Sequence, residues 1–439
     1  MHLNLNPARP NDIPSLTGLR FFAAFFVLVS HGLLQIMPMN GVAPGWYSFL
    51  STISAEGMTL FFVLSGFVIH YNYSVSIQNN SWKGIYNFFV ARFARIYPLF
   101  LVGLLFDLAH NYGYSTLTLS FWKAIPYYLT LTQSWFYVPL GSNALIYQFG
   151  HIPSVSWSVS TEWFFYMLYP LICFGLITIP RVRSKAVLFF GLSILGFYVL
   201  AVLWNKEAII NDWATTVFGS IADERNGFQD SFYRWLVYFS PYSRISEFLL
   251  GCITAAIYMQ LSVKSLQPKE ERFGVLLLIF SIIGVVVLHY FGFSQSKLAA
   301  SIPYRGFIQK LTLCFGFAPF AAIIIFCCAR YQTAFSRFFT IPILLAGGEI
   351  SYSLYLFHMV VIQAFARDAA PLSSSTSWIV YMADFSRLIL TFAAAIGLAI
   401  LFYRGIEVPA RRFLRNAFTI KKIGPSSDKL CLEASALEK

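Results

Sequence analysis

The chain is 439 residues long, 57% hydrophobic and 18% aromatic, with 11% charged residues and a formal net charge of +12. A water-soluble domain needs more polar surface than this, so the soluble classes are excluded and an all-α polytopic membrane protein is expected. The surplus Lys and Arg lie mainly between apolar runs, where they read as membrane-orientation signals and not as a nucleic-acid-binding surface.

Polar residues 1–15 precede the first apolar run, Leu16 to Met37. Arg20 lies inside that run and no small-residue cleavage site follows it, so it is read as a retained span and not a signal peptide. Runs able to cross about 30 Å of hydrocarbon follow at Gly57 to Tyr73, Tyr97 to Tyr112, Trp157 to Ile179, Ala186 to Trp204 and Ile245 to Leu261. Phe273 to Phe293, Leu311 to Ala329, Ile343 to Phe365 and Phe385 to Tyr403 complete a set of ten. The third is short, and its start is open toward the basic stretch before it. The aromatic segment Ile125 to Tyr137 is too short and polar for a span and reads as interfacial or re-entrant.

Ten spans with both termini cytoplasmic place Lys83, Arg92, Arg95, Arg181, Arg183, Lys185, Lys269, Arg272, Arg330 and Arg337 on the inside. The loop between Met37 and Gly57 then carries no cation, and the loop before Trp157 only Lys123. The membrane domain is bounded at 16–407, and 408–439 is read as a basic, mobile tail. Cys173, Cys252, Cys314, Cys327 and Cys328 lie in apolar runs with no CxxC or metal-ligand spacing, so neither a disulfide framework nor a metal site is expected.

Arg20 and His31 are eleven residues apart, almost three helical turns, so they share a face about 16 Å apart along the axis. Ionisable groups in hydrocarbon are costly, and two on one stripe point to a polar cavity. A neutral imidazole there can take a proton from a hydroxyl and return it to a leaving group, as acyl transfer requires. The plainer alternative is a histidine bonded to a neighbouring helix and a snorkelling arginine. Arg92 and Arg95, at i,i+3, suit a multiply anionic ligand such as a pyrophosphate, or contact lipid headgroups. Glu162 lies about one turn into the fourth span, after Trp157, Ser158 and Ser160. It can orient an imidazolium, bind acceptor hydroxyls or act as an acid or base, or it can simply favour the helix N-terminus. Ser65 beside Gly66 reads as a nucleophile or as a small packing residue. Arg244 and Glu247 read as a structural ion pair. Glu349, Tyr352, Tyr355 and His358 form a polar stripe in the ninth span that lines the same cavity or holds helices together; His70, His110, His151 and His289 are isolated and receive no role.

The blocks LTGLRFFAAFFVLVSH, GMTLFFVLSGFVI, ARFARIYPLF, SWSVSTEWFFYMLYPL, SRISEFLLG and ISYSLYLFH, in that order from Leu16 to Glu407, together resemble the acyltransferase-3 family of ten-helix bacterial membrane proteins. The resemblance implies an acyl-CoA-dependent O-acyltransferase, most often an acetyltransferase, acting on cell-surface or exported glycans from the bacterial cytoplasmic membrane. The family's essential histidine falls on His31, its first-helix arginine on Arg20, its donor-handling arginine pair on Arg92 and Arg95, and its fourth-block carboxylate on Glu162. Thr17, Trp163 and Phe164 stand where relatives often carry Asp, Glu and Gln, which argues against a mechanism needing paired carboxylates. An appended SGNH-type domain, present in some relatives, is not expected here.

The expected division of labour has Arg20, Arg92 and Arg95 hold the phosphates of acyl-CoA, with acetyl-CoA the expected donor. His31 deprotonates an acceptor hydroxyl on a glycan or lipid-linked oligosaccharide, and Glu162 orients His31 or that acceptor. Ser65, Trp157, Tyr355 and His358 contact substrate. An acyl-His31 or acyl-Ser65 relay stays open. The rival class is a transporter or flippase for a glycan, lipid or organic anion; the inverted halves with paired broken helices that would favour it are not found.

Overall fold

The computed structural model describes residues 13–39, 44–79, 81–112, 119–147, 155–226, 231–263, 265–294, 296–366, 371–372 and 376–420. The polar start before residue 13 and the tail beyond 420 lie outside the described residues. Nine helices there are long and apolar enough to cross a membrane, and a bent pair makes a tenth. In chain order these are α1 (Pro14–Ile36), α2 (Ser54–Asn79), α3 (Ser81–Tyr112), α4 (Trp157–Ile177) and α5 (Val182–Asn205). They continue as α6 (Pro241–Ser262), α7 (Pro268–Phe293), α8 (Arg305–Leu313 with Ala318–Arg330, bent by 45°), α9 (Pro342–Ala366) and α10 (Trp378–Phe402). The expected count of ten apolar spans matches this set.

The helices divide into a packed core and a surrounding ring. α2 packs most extensively on α6, and α1 on α9 and α2. Small residues let the backbones touch. A Cβ on Gly251 would lie 2.1 Å from the Val63 carbonyl oxygen of α2, and one on Gly348 would lie 2.0 Å from the Thr17 carbonyl oxygen of α1. No larger residue fits either place, and such contacts replace the hydrophobic driving force that is missing between helices in lipid. By contrast α5, α7 and α10 turn Ile194, Leu195, Leu276, Ile279, Ile389 and Leu390 outward, as a lipid-facing ring does.

The bend in α8 frees backbone carbonyls, which in hydrocarbon cost several kcal/mol each if unmet. Arg244 of α6 donates to the Leu313 carbonyl (2.9 Å) and Thr59 of α2 to the Cys314 carbonyl (3.0 Å). Arg244 also pairs with Glu247 at 2.7 Å, both side chains wholly buried, and Thr59 donates to the same carboxylate. The expected structural ion pair therefore clamps α2, α6 and the break in α8.

Several boundaries differ from the sequence reading; α10, for example, begins at Trp378 instead of Phe385 and α7 at Pro268 instead of Phe273. α3 starts at Ser81, sixteen residues before Tyr97, so Arg92 and Arg95 lie mid-helix and not at its mouth. Its 32 residues extend about 48 Å, more than the hydrocarbon requires, so polar residues in its first half did not end it. α8 begins at Arg305 instead of Leu311, since the charged first turn lies outside the apolar run. The first part of the predicted mobile tail is helical. Val408–Phe418 continues α10 through a π-turn (Tyr403–Glu407), with Arg411, Arg412 and Arg415 set among Phe413, Leu414 and Phe418, and it packs on α3.

The segment Ile125 to Tyr137 is not a span. A short helix, Leu119–Leu129, ends at Leu131 in the left-handed region (φ 56°), and a two-residue-per-strand hairpin, Pro139–Leu140 with Asn143–Ala144, follows. Between them Ser134 donates to Ser160 Oγ (2.9 Å) and the Trp135 indole to the Ser160 carbonyl (3.0 Å), so this segment lies against the first turn of α4.

Candidate active site

Three cavities follow one another along α1. The first, of about 390 Å³, is lined by Leu16, Thr17 and Arg20 with Val68, Tyr71 and Asn72 of α2. The second, of about 700 Å³, is lined by Arg20, Ser65, Arg92, Arg95, Glu162 and Tyr352 among others. The third, of about 1190 Å³, holds His31, Gln35, Ser54, Trp157, Tyr238 and Gln363. Arg20 and Val68 border the first and second; Met58 and Tyr355 border the second and third. A polar tract thus runs from the first turn of α1 to its last, and the shared face expected for Arg20 and His31 is the face that lines it.

The middle cavity is a guanidinium chamber. Arg92 donates to the Tyr73 hydroxyl (2.8 Å) and lies over the rings of Tyr73 and Tyr166, at 4.9 and 5.9 Å from their centroids. Its Nε is buried with no hydrogen-bond partner. Among the described residues, Arg20, Arg92 and Arg95 make no ion pair with a carboxylate. The one carboxylate lining the chamber, Glu162, accepts a 2.6 Å hydrogen bond from Ser65. Three cations facing one anion leave a net positive charge, with no second carboxylate lining the chamber among the described residues. Such a site suits a ligand with several anionic oxygens. Glu407, on the π-turn after α10, stands within electrostatic reach of Arg95 and Arg20 but accepts from Ser353 (2.8 Å) and lies 3.9 Å from Arg411.

The last cavity is an imidazole chamber. His31 Nδ1 lies 2.8 Å from Nε2 of His358 in α9, and the ring planes are 13° apart with centroids 5.1 Å apart, so the two rings meet edge to edge and nearly coplanar. His358 Nδ1 in turn lies 2.6 Å from the carbonyl oxygen of Tyr355, one turn earlier. Tyr355 is itself held at its far end: its hydroxyl donates to the Val155 carbonyl (2.9 Å) and accepts from Ser158 (2.7 Å). Trp157 packs on Tyr238 and Phe239 in the opposite wall.

The structure therefore brings together Arg20, Arg92, Arg95, Ser65 and Glu162 in one chamber, and His31, His358, Tyr355 and Trp157 in the next. It does not join Glu162 to His31. The carboxylate is bonded to Ser65 and belongs to the guanidinium chamber, and the partner of the His31 ring is another imidazole. Nor does Ser65 meet His31; its hydroxyl donates to Glu162 instead, so an acyl relay on Ser65 would not use that ring. Gln35 and Gln363 were not singled out in the sequence, although they stand four and five residues beyond His31 and His358, within or near one turn on the same helices. The reading also missed Glu56, whose carboxylate meets the buried His289 of α7, while Phe49 offers its carbonyl oxygen 3.1 Å from the other ring nitrogen. Thr52 Oγ1 lies 3.2 Å from that same nitrogen, and none of these groups lines the guanidinium chamber or surrounds the His31–His358 pair.

The family described as an acyltransferase domain matches residues 13–404, nearly the full length of the helical bundle and both chambers. The chain belongs to the acyltransferase-3 family. It is 33% identical over 168 residues to the acyltransferase MdmB of Streptomyces mycarofaciens, covering 38% of this chain and 40% of that protein. It is 25% identical over 425 residues to the O-acetyltransferase OatA of Staphylococcus aureus, covering 94% of this chain and 60% of that protein. The chain thus aligns with less than two-thirds of the length of either relative. No solved structure matches it.

Proposed function

We propose that the protein is a membrane O-acyltransferase that moves an acyl group, most simply acetyl, from acyl-CoA to a hydroxyl of a surface or exported glycan. Family membership and relatives named as acyltransferases and O-acetyltransferases support the reaction class. The observation that carries the reading is the adjacency of the two chambers: unneutralised guanidinium groups on one side of Met58 and Tyr355, a paired imidazole on the other. About 16 Å of helix separates Arg20 from His31, a length on the scale of the pantetheine arm. CoA phosphates held by Arg92, Arg95 and Arg20 would thus place the thioester near the imidazole.

In the proposed step His31 takes the proton of the acceptor hydroxyl as its oxygen bonds to the thioester carbon. The tetrahedral intermediate collapses with cleavage of the carbon–sulfur bond. The imidazolium returns the proton to the departing thiolate, leaving the ester and free CoA. Glu162, bonded to Ser65, tempers the charge of the guanidinium chamber. Trp157 and the glutamines of the outer chamber contact the acceptor. The basic stretches favour cytoplasmic termini, which puts the guanidinium chamber toward the cytoplasm and the imidazole chamber toward the far side of a bacterial inner membrane.

The test is the full-length protein in liposomes with acetyl-CoA, paired with mass spectrometry of surface polysaccharide from cells with and without the chain. Added acetyl mass on the polysaccharide, lost in His31→Ala while membrane insertion persists, is the expected result. Unchanged acylation in that variant overturns the mechanism. Solute movement with no acetyl-CoA consumed would replace it with transport.

A further inference from the structure

The imidazole chamber carries information beyond the presence of a base, because its hydrogen bonds determine which nitrogen of His31 is free. A backbone carbonyl oxygen only accepts, so His358 Nδ1, 2.6 Å from the Tyr355 carbonyl, must carry a hydrogen. No carboxylate lies within hydrogen-bond reach of either ring among the described residues, and both are taken as neutral. A neutral imidazole has one N–H, so Nε2 of His358 offers a lone pair. That atom lies 2.8 Å from His31 Nδ1, which must therefore be the donor. The hydrogen of His31 is then on Nδ1, and its Nε2, with no protein partner, is the bare nitrogen in the cavity.

We propose that His358 is a positioning residue that fixes His31 in the Nδ1–H tautomer and so makes Nε2 the proton-accepting atom. This assignment rests on the proposed role of His31 as base. A free neutral histidine side chain favours the opposite tautomer, with the hydrogen on Nε2, so an unaided His31 would present an N–H to the acceptor and hide its lone pair against α9. The near-coplanar, edge-to-edge contact, with the ring planes 13° apart, fixes the orientation of the ring as well as its hydrogen. The support is rigid for a local reason. Tyr355 and His358 are one turn apart on α9, and the Tyr355 side chain is tied to Val155 and Ser158 of the α4 end. Partners that fix ring tautomer and orientation in this way are a recurrent need wherever one histidine nitrogen does the chemistry.

The proton count is closed. His31 Nε2 takes the hydroxyl proton and the ring becomes an imidazolium whose Nδ1–H still points at the His358 lone pair. The Nε2 proton then goes to the thiolate, and the original tautomer is restored. His358 gains and loses no proton overall.

The full-length protein, labelled with [15N]histidine in bilayers, tests this without knowledge of the acceptor. The His31 resonances are identified among the seven histidines by their absence in His31→Ala. The expected spectrum has the His31 proton on Nδ1, and the proton moves to Nε2 in His358→Phe. Acylation in membranes holding the native acceptor, at saturating acetyl-CoA, should fall on the order of 10²–10⁴-fold in His358→Phe, as when a histidine base is left in the wrong tautomer. His358→Gln places an amide oxygen near the former Nε2 and should stay within about tenfold of the parent, since an acceptor is all that His31 Nδ1–H needs. The KM for acetyl-CoA should change little in either variant. A His31 proton found on Nε2 in the parent overturns the proposal, as does equal loss in the Gln and Phe variants with the tautomer unmoved. Full activity of His31→Ala removes the base reading itself, a failure distinct from a wrong tautomer in an otherwise His31-dependent enzyme.

Discussion

The two chambers solve the problem of burying ionisable groups in opposite ways. In the guanidinium chamber three arginines are left without a carboxylate ion pair among the described residues, with serine and tyrosine hydroxyls and a glutamate already bonded to serine around them. In the imidazole chamber each polar atom of the His358 ring has a neutral partner, and a single nitrogen of His31 is left open. A buried charge costs several kcal/mol unless something neutralises it, so the first chamber suits an anionic ligand. In the proposed reaction the second carries no charge until a proton is transferred: the first binds, and the second reacts. The Arg244–Glu247 pair, wholly buried, with its guanidinium spread over Glu247 and the Tyr238 and Leu313 carbonyls, is the contrast that shows what a purely structural charge looks like in this fold.

This difference predicts separable kinetic effects. The largest is expected from His31→Ala, which should lower acyl transfer at saturating acetyl-CoA by about 10²–10⁴-fold, the usual worth of a positioned base, while leaving acyl-CoA binding intact. Loss of donor affinity instead would merge the two chambers into one. Next, Arg92→Gln and Arg95→Gln should each raise the KM for acetyl-CoA by roughly 10–100-fold, as expected for charge-assisted hydrogen bonds of about 1.5–3 kcal/mol, with a smaller effect on kcat. A KM that stays at the parent value returns both residues to lipid contact. Tyr355→Phe removes a hydroxyl that bonds Val155 and Ser158 and loosens the partition between the chambers. Two neutral hydrogen bonds contribute roughly 1–3 kcal/mol together, so a loss of about tenfold in kcat with unchanged KM is expected, read at saturating donor.

The smallest effect concerns a pair that lines neither chamber. Arg225 beside Asp223 holds that carboxyl below its usual range. The folded value is depressed, so the contribution of the pair is present at neutral pH and is lost as pH falls through the folded value. Arg225→Ala should leave acylation unchanged at pH 7 and blunt any acid-induced change in the 220–226 turn, measured by proteolysis at that loop. A fall in activity at neutral pH would make this exposed loop part of the acceptor path.

The helix count, the three arginines and the histidine were legible because each stands out against apolar sequence. A charge in hydrocarbon is its own signal, and helical periodicity alone places Arg20 and His31 on one stripe. The start of α3 was hidden because Arg92 and Arg95 interrupt the apolar run without interrupting the helix. The amphipathic helix Val408–Phe418 was hidden because its composition is polar while its ordering contacts come from α3. The bend in α8 left no mark, since the groups that meet its carbonyls, Arg244 and Thr59, are remote in the chain.

Sequence by itself determined the membrane class, the number of apolar spans and which side chains carry ionisable chemistry, because these depend on local composition and on a period of 3.6. Only the tertiary structure decided how those side chains are partnered. It gave Glu162 to Ser65 and His31 to His358, across 97 and 327 residues of chain. Hydrogen bonds act over about 3 Å of space, and which helices come that close is set by the backbone contacts at Gly251 and Gly348, not by the spacing of residues along the chain.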